Sequence, residues 1–221
     1  MNTTNRDSWK SLFNTMLQAL GYNSMKQLPP MQAGSESPYR VLIGTIISLR
    51  TRDEVTFAAT DRLFEAADSP ETMLSLEPAD IERLIYPAGF YRNKARTILN
   101  ISRRLVDEHG GAVPDTFEEL TGLKGVGPKT ANLVLSYGFG KPAIVVDVHV
   151  HRIPNRLGWI ETQKPEASEK ELMRIVPRRL WGQLNPLLVT FGQRICTPVS
   201  PRCSECPLSD RCPGIGVDKF R

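Results

Sequence analysis

The sequence predicts an all-α fold, and three observations carry that prediction. Apolar residues recur at three- and four-residue spacing along most of the 221-residue chain, as on the buried face of a helix. Residues that favour helix starts and stops (serine, threonine, aspartate, proline and glycine) stand at the ends of those segments. The short β-branched run at residues 143–146 has no obvious partner strand, so we interpret it as an extended, buried connection.

The predicted helices of the first half follow in order. They cover residues 38–49, a segment from 53 to beyond 63, a segment from 78 to 85, and residues 92–109. Ser37 is placed to cap the first of these helices, and Pro78 suits the first turn of the third. Gly110 and Gly111 are expected to end the fourth, because glycine readily adopts the left-handed backbone of a helix stop.

Three helices of the second half are predicted next. Thr116 and Glu119 have the spacing of a capping box for a short helix that ends near Leu123. Another helix is expected to start at Asp147. A last helix, over residues 180–195, leads into a cysteine-rich loop.

The segment from 117 to 135 has the pattern of a helix, a glycine hairpin and a second helix. Its two glycines allow close backbone approaches that a side chain would block. Pro128 suits the first turn of the second helix, whose free N–H groups carry partial positive charge and suit an oxyanion. The pattern favours a grip on the DNA backbone that does not depend on base sequence; a helical hairpin without a ligand is the alternative. The residues expected to contact DNA here are Gly125, Val126, Gly127 and Thr130.

All four cysteines lie in the last 26 residues: Cys196, Cys203, Cys206 and Cys212. Clustered thiolates bind soft or borderline metals, and four of them suit either Zn²⁺ or an iron–sulfur cluster. The spacing alone does not separate these two. Two disulfides would suit a secreted chain, but the polar N-terminus without an apolar run predicts a cytoplasmic protein, where thiolates bind metal.

The net charge of +4 is modest, and its distribution is more informative. One basic group comprises Arg92, Lys94, Arg96, Arg103 and Arg104, and another surrounds the cysteines. Either group fits a solvated helix face or a surface for phosphates. No apolar stretch is long enough to cross a bilayer. We therefore expect no membrane partner, and association with the nucleoid if the source is prokaryotic.

The string that starts at Leu123 and reads LKGVGPKTANLVLSYGFGKPAIVVDVHVHRIPNR, followed by the cysteine spacing, resembles the endonuclease III family of DNA repair glycosylases. The resemblance covers roughly residues 35–213. It implies a [4Fe-4S] cluster rather than zinc. It also implies a two-lobed helix-hairpin-helix glycosylase fold, with the DNA and the active site between the lobes. A six-helix barrel is expected over residues 31–141, and a cluster-bearing domain over residues 1–30 and 142–221.

The resemblance places the family's catalytic residues on two positions. Lys129 matches the nucleophilic lysine, whose neutral amine attacks C1′ of a deoxyribose and forms a Schiff base with the opened sugar. Asp147 matches the aspartate that stabilises positive charge developing on the sugar. Taken without the resemblance, Lys129 would be a solvated helix lysine and Asp147 a helix cap.

A base inside a duplex must be flipped out before chemistry, and the gap must be filled. The resemblance places the gap-filling residues within 48–51 and 89–91. Arg50 stands where many relatives carry glutamine, and it is expected to hydrogen-bond the orphaned base. Phe90 stands where leucine is common, and it is expected to wedge between neighbouring bases. A surface arginine and a core phenylalanine are the alternatives. Arg202, between two cysteines, is expected to reach a phosphate.

These inferences predict a monomeric, bifunctional DNA glycosylase and AP lyase of base excision repair. It would remove oxidised pyrimidines from double-stranded DNA with damaged bases or abasic sites, and cleave 3′ to the abasic site by β-elimination. A monofunctional mismatch or adenine glycosylase is the alternative among enzymes, although such relatives usually carry serine or tyrosine at the position of Lys129. The third hypothesis is a non-catalytic DNA-binding module, against which the joint presence of Lys129 and Asp147 argues.

Overall fold

The structure is a computed structural model that describes residues 6–28 and 37–221. These residues are mostly helical and contain no β-strand, so the predicted all-α fold is confirmed. They form two compact units: one joins residues 6–28 to Pro142–Arg221, and the other comprises residues 37–141. The predicted domain boundary at residues 30 and 31 lies outside the described residues.

The α-helices of the described residues are numbered in chain order. They are α1 (Arg6–Ala19), α2 (Pro38–Ser48), α3 (Asp53–Ala66), α4 (Pro70–Met73), α5 (Pro78–Ile85), α6 (Tyr91–His109), α7 (Phe117–Gly122), α8 (Pro128–Leu133), α9 (Val148–Arg156), α10 (Pro165–Ile175) and α11 (Trp181–Arg194). A π-helical turn, Val134–Gly138, continues α8. In these ranges, no helix has the length and apolar character that a membrane span requires.

Most predicted helix ends are confirmed by their caps. The Ser37 hydroxyl accepts a hydrogen bond from the Arg40 N–H at 3.1 Å. Gly110 ends α6 in the left-handed conformation, with φ of 60°. Only one half of the capping box predicted at α7 is present: the Thr116 hydroxyl accepts from the Glu119 N–H. The Glu119 carboxylate does not return to the backbone of Thr116, because it accepts instead from the Thr116 hydroxyl.

The core of the unit over residues 37–141 is organised around α2. Apolar residues lie on nearly every side of this helix, and seven of its eleven residues are buried; this is the pattern of a helix enclosed by others. Its neighbours are α3, α6, α8 and the π-helical turn. The Tyr39 hydroxyl forms a buried hydrogen bond with Ser102 of α6 at 2.6 Å. Because α2 is enclosed, the loop at its C-terminal end has a fixed starting point.

The second unit packs α1, α9, α10 and α11 around one apolar core that includes Met16 and Phe191. The segment 143–146 belongs to no helix or strand of the described residues, and all four of its residues are buried. This confirms the predicted connection. It delivers Asp147 to the start of α9, and α11 delivers the chain to the cysteine loop.

Candidate functional site

The hairpin between α7 and α8 is closed by its own backbone. The Val126 N–H donates to the Leu123 carbonyl at 2.9 Å. Gly125 has φ of +97°, and a Cβ there would lie 2.8 Å from the Thr97 side chain of α6. Both the left-handed backbone and the close approach require glycine. The hairpin is thereby held in a fixed shape against α6.

The hairpin exposes mainly backbone groups rather than side chains. Val126 and Thr130 are buried, whereas Gly127 and Lys129 are exposed. Pro128 occupies the first position of α8, and the first N–H groups of any helix have no intrahelical partner. What the hairpin can present to a ligand is therefore a set of N–H donors at a positive helix end, which suits phosphate oxygens.

Lys129 is the second residue of α8. Its side chain is exposed, and its amine makes no hydrogen bond or ion pair with any residue that the structure describes. The amine is therefore available to an external reaction partner. No carboxylate of the described residues neutralises it or holds it in place.

Asp147 has the N-cap role that its position suggests. Its Oδ1 atom accepts from the His149 N–H at 2.9 Å and from the Val150 N–H at 2.8 Å. The side chain is half-buried, and within the described part of the chain its Oδ2 atom has no hydrogen-bond partner. The cap holds the carboxylate in one orientation while one oxygen remains available. Lys129 and Asp147 belong to different units.

The two histidines of α9 make structural hydrogen bonds. His149 Nδ1 lies 3.1 Å from the Arg152 guanidinium, which must be the donor. His151 Nδ1 lies 2.6 Å from the Ser168 hydroxyl. Burial lowers the pKa of His149, and Arg152 lowers it further, although the Asp147 carboxylate partly offsets both effects. His149 is therefore neutral near pH 7 and does not act as a cation beside Asp147.

Arg50 and Phe90 lie on two loops that contact each other. Both have left-handed backbones, with φ of 53° and 58°, which is uncommon for residues other than glycine. The Arg50 guanidinium lies 5.5 Å from the centre of the Phe90 ring. Phe90 is 59% exposed, so the alternative of a core phenylalanine is wrong. Backbone strain at two exposed side chains is typical of functional loops.

The basic group on α6 is not one continuous phosphate surface. Lys94 is only 6% exposed, so it cannot belong to such a surface. Arg104 is engaged by Glu108 and by the Gly122 carbonyl. In the sequence, Arg92 and Arg96, two positions away on either side, make Lys94 look like part of a solvated helix face. The buried Ile98, one turn later, is the signal that places it on the apolar face.

The four cysteines line one cavity of about 350 Å³. Burial raises the pKa of the Cys203 and Cys206 thiols, and the neighbouring cysteines raise it further. Four thiols this close become thiolates only when a metal compensates their charge. Four cysteine sulfurs around one cavity are a donor set for either a Zn²⁺ ion or a [4Fe-4S] cluster, and a cluster takes one thiolate at each of its four irons.

Two arginines of α9 donate hydrogen bonds to carbonyls of the cysteine loop. This role was not predicted from the sequence. Arg156 donates to the carbonyls of Thr197 and Pro198 at 2.7 and 2.8 Å, and its Nη1 lies 3.5 Å from Cys196 Sγ. Arg152 donates to the Cys196 carbonyl at 2.8 Å. The four-residue spacing that puts both on one helix face is their only sequence signal. Their charges complement those of the thiolates.

Arg202 is exposed and lies between two of the cysteines. Its guanidinium is 3.6 Å from the Glu205 carboxylate in an exposed ion pair, and such pairs contribute little to stability. The side chain is therefore free to exchange that partner. Its contact with a phosphate stays a prediction.

The comparisons with known proteins agree with this arrangement. Residues 43–178 match the model of the HhH-GPD superfamily base excision DNA repair protein, and residues 196–212 match the iron–sulfur binding domain of endonuclease III. The chain is 48% identical over 197 residues to the endonuclease III of Thermotoga maritima, which covers 89% of this chain and 92% of that protein. It is 38% identical over 177 residues to the endonuclease III of Bacillus subtilis, which covers 80% and 81%.

Solved structures are also similar. One is a trapped endonuclease III–DNA covalent intermediate in an estranged-adenine complex, with a TM-score of 0.82 and 33% identity over 95% of this chain and 96% of that one. Another is a thermostable thymine-DNA glycosylase, with a TM-score of 0.81 and 25% identity over 92% and 94%. The fold and the hairpin thus define a helix-hairpin-helix base excision DNA repair protein. Within that class, the chain belongs to the endonuclease III family. The predicted family and its [4Fe-4S] cofactor are confirmed.

Proposed function

We propose that this chain is a bifunctional DNA glycosylase and AP lyase of base excision repair, and that Lys129 is its nucleophile. The observation that carries the proposal is an exposed amine at the start of the second hairpin helix, without a hydrogen-bond or ion-pair partner among the described residues, in a member of the endonuclease III family. The similar structure of a trapped endonuclease III–DNA covalent intermediate supports a covalent mechanism. The N–H groups at the start of α8 would hold a phosphate beside that amine.

The chemistry of Lys129 takes two stages. The neutral amine attacks C1′ as the bond from C1′ to the damaged base breaks, and the base leaves with a proton. Opening of the sugar ring gives an iminium, which makes the 2′ proton acidic. Loss of that proton expels the 3′ phosphate by β-elimination. Water then hydrolyses the imine and returns the free lysine.

Asp147 is proposed to stabilise the sugar while positive charge develops on it. A carboxylate that is already oriented does not need to reorganise during the reaction, which makes its stabilisation effective. The two N–H bonds to Oδ1 supply that orientation, and Oδ2 is the oxygen that would face the sugar. The capping and catalytic roles are therefore complementary.

The remaining roles follow from exposure and charge. Arg50 is proposed to pair with the orphaned base and Phe90 to fill the gap in the stack, since both are exposed on strained loops. Arg202 is proposed to contact a phosphate.

The [4Fe-4S] cluster, when bound, would join the four cysteines of the loop and is proposed to have a structural role rather than a redox role. Oxidised pyrimidines are the proposed lesions, and we propose a cytoplasmic monomer, at the nucleoid in a prokaryote.

A borohydride experiment tests the proposal on the wild-type protein. It is incubated with two duplexes, one carrying thymine glycol and one carrying an abasic site, and borohydride is then added. A covalent protein–DNA adduct on both duplexes is expected, because reduction fixes the Schiff base. Base release without an adduct would instead identify a monofunctional glycosylase. Binding with neither result would identify a DNA-binding module.

Substitutions of Asp147 separate its cap from its charge. Asp147→Asn keeps a good N-cap but removes the negative charge, so single-turnover base excision should fall about 100-fold, or about 2.7 kcal/mol. The melting temperature should change little. Asp147→Ala should lose the same activity and, in addition, about 1 kcal/mol of stability from the missing cap. An Asp147→Asn variant with wild-type excision would leave Asp147 only a structural role.

A further inference from the structure

The ammonium group of Lys94 is buried and fully hydrogen-bonded. Its Nζ donates to the Ile47 and Leu49 carbonyls, each at 2.6 Å, and to the Thr51 hydroxyl at 2.8 Å. A lysine ammonium has three N–H donors, and each has one acceptor here. Burial lowers the pKa of Lys94 to about 8, so the ammonium still predominates at pH 7.

The first two acceptors belong to the C-terminal end of α2. The last carbonyls of a helix lack intrahelical partners, and a cation there also offsets the helix dipole. Lys94 therefore caps α2 from a different helix, α6. The cap fixes the carbonyls on either side of Ser48, directly before the strained residue Arg50.

The third acceptor, Thr51, connects Lys94 to the loop that carries Phe90. The Thr51 hydroxyl accepts from Lys94 and also from the Gly89 N–H, at 3.1 Å. A Cβ on Gly89 would lie 2.6 Å from the Arg50 carbonyl, so the two loops have no room to slide past each other. Arg50 thus lies between Leu49 and Thr51, which both accept hydrogen bonds from Lys94. Phe90 directly follows Gly89, whose N–H donates to Thr51.

We propose that Lys94 is a positioning residue for base extrusion, which locks the loops of Arg50 and Phe90 into one strained arrangement before DNA arrives. The inference rests on the proposed function of those two side chains. Left-handed backbones at both residues persist only where surrounding contacts impose them, and Lys94 and Thr51 make those contacts. A rigid pair of loops inserts into a duplex without first losing conformational entropy.

A fluorescence experiment reads the loops without any chemistry. The probe is a duplex with 2-aminopurine opposite a tetrahydrofuran abasic analogue, which cannot be cleaved. Saturating wild-type protein is expected to raise the fluorescence, because the loops displace the opposite base from the stack. Lys94→Met keeps the length of the side chain but removes its donors. The enhancement should then fall about fivefold, the scale on which a lost buried hydrogen bond shifts a two-state equilibrium.

Matched variants distinguish positioning from folding. Thr51→Val removes the hydroxyl that joins the loops and should also lower the enhancement, whereas Thr51→Ser keeps the hydroxyl and should restore it. Lys170→Met, at an exposed lysine of α10, should match wild type. AP-lyase activity on a single-stranded abasic oligonucleotide needs no extrusion, so it should stay within about twofold in Lys94→Met.

Three results would overturn the inference. The first is no fluorescence enhancement with the wild-type protein, and the second is wild-type enhancement in both Lys94→Met and Thr51→Val. The third is an equal loss of enhancement and of single-strand lyase activity in Lys94→Met, which would indicate general damage to the protein. Should Lys94→Met fail to fold, the Thr51 pair decides the question. Failure of the proposed function would appear separately, as the absence of a borohydride adduct with the wild-type protein. The fluorescence measurement would remain valid in that case, because its probe is not cleaved.

Discussion

Lys129→Ala is expected to abolish the borohydride-trapped adduct. Incision of an abasic duplex should fall at least about 10³-fold, on the scale seen when a covalent nucleophile is removed. The reason is chemical, since alanine has no amine to form the iminium that drives β-elimination. Folding should be unaffected, because the Lys129 side chain is exposed and alanine is the better helix former. The measurement is denaturing electrophoresis of end-labelled DNA with and without borohydride.

Lys124→Ala is the matched control for this experiment. Lys124 is exposed on the same hairpin, five residues before Lys129, so the control removes an equal charge from the same surface. We expect somewhat weaker DNA binding with a smaller dependence on salt, but an undiminished adduct at saturating protein. If Lys129→Ala still forms the adduct, another amine is the nucleophile, and the assignment of Lys129 is wrong.

The sequence predicts the helices well because their determinants are local. Ser37 bonds to a residue three positions on, Gly110 ends α6 by its own backbone preference, and Asp147 bonds two and three positions ahead. A capping rule covers each of these cases. The hairpin was predictable for the same reason, since its glycines and proline act within one turn.

The geometry of the site depends on contacts that no local rule covers. The acceptors of Lys94 lie 43 to 47 positions away in the chain, and Arg156 reaches carbonyls 41 and 42 positions away. In sequence, both side chains look like ordinary surface cations. The left-handed backbones of Arg50 and Phe90 are equally invisible, because neither residue type favours them. Which cations become buried is decided by packing, after the helices have formed.

A second large effect is expected at the cysteine loop, where Cys203→Ser should remove most of the iron. Wild-type protein should be brown and carry about four irons per chain, whereas a zinc site would be colourless with about one zinc. From residue 197 to the C-terminus, only Pro201 and Leu208 are buried. This segment has almost no apolar core, so the cluster must supply its stability, as metals do in other small loop-rich domains.

The loss of iron should therefore expose the loop to trypsin. Rapid cleavage is expected after Arg202, Arg211 and Lys219 in Cys203→Ser, while residues 142–194 stay protected by the packed helices of their unit. Ser204→Ala, at the exposed neighbour that is not a ligand, should keep both iron and protection. Arg156 also holds the start of the loop through carbonyls that do not involve the metal. If those bonds suffice, Cys203→Ser will resist trypsin as wild type does, and the cluster will not be what holds the loop.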